Sequence, residues 1–132
     1  MKYAPLVGRI LFSLIFLMFG MAHLTDPQMM IDNGMVPDFL PMKSVVVILT
    51  GLVIIGAGLS VLLGYQTKLG ALLLFVFLLS TTLMVWSAGF FAGEEAATGF
   101  FMRDLALSGA ALLIYHFGAG PLSVDARASA SD

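Results

Sequence analysis

The chain predicts an all-α integral membrane protein, a four-helix bundle with both termini in the cytoplasm. Three observations carry that prediction. Residues 4–24, 44–64, 69–88 and 100–118 are four apolar runs, each close to the ~20 residues that a helix needs to span ~30 Å of hydrocarbon. Hydrophobic residues make up 60% of the 132 and charged residues 11%, against roughly 45–50% and 25% in a soluble domain. Residues 69–79 (LGALLLFVFLL) show no alternation, so they do not read as a barrel strand. Within lipid the backbone must satisfy its own hydrogen bonds, which leaves helices.

The first crossing runs from Ala4 to Leu24, with Pro5 in the opening turn, where a missing N–H leaves nothing unpaired. Its apolar stretch exceeds that of a signal peptide, and Gly20-Met21-Ala22-His23 is a poor cleavage site, so this crossing is expected to stay. Thr25-Asp26-Pro27 stops it. Asp26 is placed to cap a short interfacial turn over residues 28–33, closed by Gly34. Pro37 and Pro41 keep the next stretch extended.

The second crossing, Ser44–Gly64, carries Gly56, Ser60 and Gly64 four residues apart. Small residues at that spacing let another helix approach closely, a main source of association energy in lipid. The tight joint Tyr65–Lys68 makes the second and third crossings antiparallel neighbours. In the third, Leu69–Ala88, Ser80-Thr81-Thr82 can bond back to their own helix. Trp86 near its end fits an aromatic belt. The fourth crossing spans Phe100–Gly118 and stops at Gly118, Gly120 and Pro121. Residues 1–125 thus read as one domain, and 126–132 as a small, polar, disordered tail.

Basic residues set the orientation. With an even number of crossings, Lys2, Arg9, Lys68 and Arg127 share one side, and Lys43 and Arg103 the other. The positive-inside rule assigns the first side, with both termini, to the cytoplasm.

Charges at membrane depth cost roughly 2.5–3.5 kcal/mol each on insertion scales, and usually have a role. Arg9 lies ~7 Å inside the first crossing by helical rise. It is placed to reach lipid headgroups or a phosphate. Leu105–Phe117 is only 13 residues, so the fourth crossing must include Phe100–Met102. That puts Arg103-Asp104 about a turn (~5 Å) inside its outer end. His23 ends the first crossing on the same side. In a compact bundle His23, Asp26, Arg103 and Asp104 share an outer layer suited to a quinone carbonyl, a small anion or a partner. The plainer alternative is that Arg103 and Asp104 neutralise each other or Asp26 and merely fix two helices together.

Several chemistries are excluded. His116 lies at the other end of the bundle, roughly 20 Å or more from His23 in depth, so the two cannot ligate one haem within a single subunit; haem with one axial histidine is left open but has no positive support. Met29, Met30, Met35 and Met42 could suit copper, but nothing pairs them with histidine, and no metal site is expected. A chain with no cysteine forms no disulfide and ligates no iron–sulfur cluster. Redox chemistry would be borrowed from a bound cofactor or partner. Six scattered basic residues make no stripe for nucleic acid.

Three stretches resemble the DoxX family of small four-helix bacterial membrane proteins. They are Gly8-Arg9 with Phe16-Leu17 and Gly20–Pro27; Gly51–Gly64; and Phe101–Leu107 (FMRDLAL) with Gly118–Asp125 (GAGPLSVD). The third is the most specific, close to a family pattern F-x-K-N-L-A-L followed by G-x-G-P-x-S-x-D. The resemblance implies a four-crossing bundle in the bacterial inner (plasma) membrane, associated with membrane redox systems linked to quinone. Two departures stand out. His23 replaces a frequent lysine, and Ile54 replaces a frequent glutamate, which removes the best intramembrane proton carrier and argues against catalysis by this chain alone.

The resulting expectation is a subunit accessory to a quinone-linked oxidoreductase or electron-transfer complex, holding no intrinsic cofactor beyond a candidate quinone. The rival is a non-catalytic interaction subunit that packs on a larger complex through the Gly56/Ser60/Gly64 ladder. Either would contact lipid and other membrane subunits or copies of itself.

Overall fold

The computed structural model describes residues 1–131 and is all-α. Helix α1 is Ala4–Thr25, α2 Pro27–Asp32, α3 Lys43–Leu63 and α4 Thr67–Thr81. A π-helical turn, Thr82–Trp86, joins α4 to α5, Ser87–Phe91; α6 is Glu95–Phe117 and α7 Val124–Ser131. Four helical segments are long and apolar enough to cross a membrane: α1, α3, the continuous Thr67–Phe91 rod and α6. The chain is a multi-pass membrane protein.

The capping follows the sequence. Asp26 Oδ1 accepts from the Met29 N–H at 3.1 Å and starts α2, as its position before Pro27 requires. Gly34 turns with φ +69° just after α2. Ser80 donates to the Val76 carbonyl, and Thr81 and Thr82 to that of Leu78, so all three hydroxyls are satisfied within their helix.

Helix α1 packs on α3, α3 on α4, and α4 on α6. The shared core is Phe12, Phe16, Ile54, Ala57, Val61, Ala71, Leu74, Leu78 and Ala111. A smaller cluster, Met30, Val36 and Val47, lies where α2 and the extended stretch fold over the end of α3. Exposed leucines, valines and methionines cover the remaining faces, as expected where lipid rather than water is the solvent.

The α1–α3 seam is where glycine matters. A Cβ on Gly51 would lie 2.6 Å from His23 Cβ and 3.2 Å from the Gly20 carbonyl; one on Gly20 would run into Ile55. Gly58 faces Phe16 and Leu17. Gly51, Ile54, Ile55 and Gly58 are therefore the face of α3 that meets α1. The ladder expected from sequence is split instead. Gly56 has open space around it, Ser60 lies against Gly70 of α4, and Gly64 abuts Arg9 and Ser123. Spacing alone does not say which of several small-residue rows faces a neighbour.

The last segment also differs from expectation. Residues Val124–Ser131 are helical, where the sequence reading placed a disordered tail from Ala126; Asp132 lies outside the described residues. The reason is local capping: Ser123 Oγ accepts from the Ala126 N–H at 3.1 Å.

Candidate functional site

A cavity of about 210 Å³ lies between α1, α3, α4 with the π-turn, and α6, roofed by Met30, Met35, Val36, Pro37 and Leu40. Most of its wall is apolar, from Phe16, Phe19, Val47, Phe77 and Leu107 among others. His23, Thr50, Ser80, Thr81, Arg103, Asp104 and the Trp86 indole are its polar side chains. For scale, a cavity of ~150 Å³ holds benzene, so this one has room for a single substituted ring.

Helix α6 begins at Glu95 rather than Phe100, so Arg103 and Asp104 sit about two turns (~12 Å) inside it, deeper than the sequence implied. Asp104 is 3% exposed. Arg103 Nε and Nη2 both donate to Asp104 Oδ1, at 2.9 and 2.8 Å. Thr81 Oγ1 lies 3.1 Å from Asp104 Oδ2 and 3.0 Å from the Leu78 carbonyl, so its single proton is shared between them.

Two aromatic rings pack against the guanidinium. Its carbon lies 4.9 Å from the Phe19 ring centroid and 4.8 Å from that of Phe100. Phe100 in turn stacks on Trp86 at 4.6 Å. Trp86, expected in a surface belt, is brought to the cavity wall by the π-turn Thr82–Trp86, which re-aims the side chains beyond Thr81. With Nε and Nη2 committed to Asp104, Nη1 is the remaining nitrogen of a donor group that borders the cavity. The pair is neutral overall, which favours an uncharged ligand over an anion.

His23 approaches the cavity from the end of α1. Its Nδ1 lies 2.7 Å from the Phe19 carbonyl. A carbonyl only accepts, so Nδ1 carries the proton.

Three of the four outer-layer residues expected from sequence therefore line one cavity. Asp26 does not; it is exposed and occupied as the cap of α2. Phe19, Thr81, Trp86 and Phe100 complete the site without having been anticipated. Phe19 and Phe100 lie one helical turn before His23 and Arg103, a signal the sequence carries; Thr81 and Trp86 lie on another helix and have no such signal.

Arg9 also departs from expectation. It is 3% exposed and turned inward, with Nη2 donating to the Leu122 carbonyl at 2.7 Å and Nη1 to that of Leu62 at 3.4 Å. It joins α1 to the end of α3 and the loop before α7, and is not available to a lipid phosphate. Asp125 completes this end. Its carboxylate accepts from the N–H groups of Gln66 and Thr67 and the Thr67 hydroxyl, at 2.8, 3.0 and 2.7 Å. Burial alone would raise the Asp125 carboxyl, but the bonds from Thr67 and Gln66 and the nearby Arg9 charge outweigh it and hold the group below its ordinary value. Gly120 packs on Pro5, so the first and last segments meet at one end of the bundle.

Among the described residues no three of His, Asp and Glu come together. Ile54, where a glutamate is frequent in the family resembled, is fully buried in the core.

The fold and the cavity define a small multi-pass inner-membrane protein with a polar pair set inside its helices. A family model, DoxX, matches residues 4–87, well over half of the chain. The chain belongs to the DoxX family. The matched residues include the first two stretches of the resemblance and stop short of Phe101–Asp125, which rests on motif likeness alone. Searches of curated proteins and of solved structures find no match.

Proposed function

We propose that the protein is an accessory subunit of a quinone-linked electron-transfer complex, and that its cavity receives the ring of a quinone. The observation that carries this is a mostly apolar, ring-sized cavity with one fixed cationic donor, Arg103, whose charge is already balanced by Asp104. A quinone is neutral, planar and rich in carbonyl acceptors, and a guanidinium held against two aromatic rings is a preset donor for such a carbonyl. Family membership supports the redox setting. The chain supplies binding and orientation, and electrons pass to and from partner subunits.

In this reading both termini lie in the cytoplasm, since four basic residues at that end oppose two at the other. Reporter fusions at Met1 and Asp132 should then report the same compartment. The binding test is mass spectrometry of lipids extracted from the protein after gentle purification. A near-stoichiometric quinone is expected, and it should be depleted in Arg103→Ala. An extract with no quinone removes the redox reading.

A second reading, a structural subunit with no ligand, draws on Gly56. That glycine faces open space beside exposed Leu52, Leu59 and Leu63, a surface on which a helix of a larger complex or a second copy could pack.

A further inference from the structure

The polar groups of the cavity are not equivalent, and the difference bears on which redox form it holds. Arg103 can only donate. Neutral His23 has its proton on Nδ1, because that nitrogen lies 2.7 Å from the Phe19 carbonyl. Its Nε2 therefore carries a lone pair. Among the described residues Nε2 makes no hydrogen bond to the protein, although His23 borders the cavity.

The surroundings hold that ring in place. Phe77 meets it edge-on, with centroids 6.3 Å apart, and Gly51 lets α3 pass directly against its Cβ. The charged groups on the same cavity are Arg103 and Asp104, which satisfy each other. Thr50 Oγ1 donates to its own helix carbonyls, Val46 and Val47, both at 2.9 Å. Ser80 likewise donates to its own helix at Val76, and among the described residues no hydrogen bond from any of these groups or from Trp86 reaches Nε2.

An oxidised quinone offers only acceptors, so its ring would leave Nε2 facing oxygen lone pairs, an unfavourable contact in a largely apolar space. A quinol differs at this one point. It keeps oxygen lone pairs for Arg103 and adds an O–H that can donate to Nε2. From this we infer that the cavity prefers the reduced, hydroxyl-bearing ring, with His23 Nε2 as the specificity-determining acceptor. The inference rests on the quinone reading above and goes further by assigning the redox form.

The test uses the full chain in lipid nanodiscs under anaerobic conditions, with decylubiquinol and decylubiquinone as separate probes. Binding is followed through Trp86, the single tryptophan, which lines the cavity. One hydrogen bond gained corresponds to roughly a three- to tenfold tighter affinity for the quinol. His23→Leu should bring the ratio close to one, because it removes both the acceptor for the quinol O–H and the unfavourable lone-pair contact with quinone. His23→Gln, whose amide can still accept, should recover part of the preference. Equal affinities in the unmodified protein, or a preference that survives in His23→Leu, would overturn the inference and leave the quinone reading standing. If neither probe binds, both fall.

Discussion

Asp125 Oδ2 accepts from both the backbone N–H and the hydroxyl of Thr67, at 3.0 and 2.7 Å, so the segment after the last crossing caps the start of α4. An N-terminal cap of this kind contributes about 1–2 kcal/mol. Asp125→Ala should lower stability by that amount, measured as thermal unfolding in detergent. The sign of the pH effect follows from the lowered carboxyl. Stability from this group is fully present above the ordinary carboxylate value of about 3.8 and is lost as pH falls through the lower folded value. Acid titration of the unmodified protein should show this loss, and Asp125→Asn should remove that component of it.

The Arg103–Asp104 pair predicts an asymmetry between single and double variants. Arg103→Ala strands a carboxylate that is 3% exposed; because the Arg103 side chain is itself 30% exposed, the loss should fall below the ~3–5 kcal/mol of a fully buried pair. Replacing both partners, as Arg103→Met with Asp104→Leu, should restore most of the stability, because no buried charge is left unpaired. A double variant no more stable than Arg103→Ala would show that the pair is not an isolated neutral unit. Quinone content should be lost in both.

Arg9 separates an internal tie from a lipid contact. Arg9→Leu leaves the Leu122 and Leu62 carbonyls without their donor, at about 1–3 kcal/mol. That loss should be the same in nanodiscs with and without anionic lipid. A loss that grows with anionic lipid would return Arg9 to the headgroups.

The two glycine rows of α3 should behave oppositely. Gly51→Val places atoms against His23 Cβ and the Gly20 carbonyl, and overpacking of this kind costs about 1–3 kcal/mol. Gly56→Leu meets open space and should leave the unfolding temperature of the isolated protein unchanged. If a partner helix packs there, the same substitution should release it from complexes purified out of native membranes.

What the sequence made legible was set by length and local chemistry. The crossings, the Asp26 cap and the back-bonded Ser80-Thr81-Thr82 depend only on neighbouring residues, and each reappears in the structure. Arg103 and Asp104 stand out in the sequence because charge at depth is expensive, His23 because it ends the first crossing on the same side, and the three meet at one cavity. The aromatic contact was hidden because Phe19, Phe100 and Trp86 sit among many other apolar residues, and only helix rotation and the π-turn aim them inward. Arg9 shows the same limit. Its depth was readable, but the carbonyl that holds it belongs to Leu122, 113 residues away. The GAGPLSVD segment was recognised as a motif before its use was clear; its Ser123 and Asp125 cap two separate helices.

The most direct test of a quinone in this cavity is photolabelling of native membranes with an azidoquinone, followed by peptide mapping. Label is expected on Phe19–His23, Met84–Trp86 and Phe100–Arg103, and excess unlabelled quinone should compete it away. Label confined to lipid-facing positions such as Leu11, Met18 and Leu113, or label that excess quinone does not displace, would contradict the account.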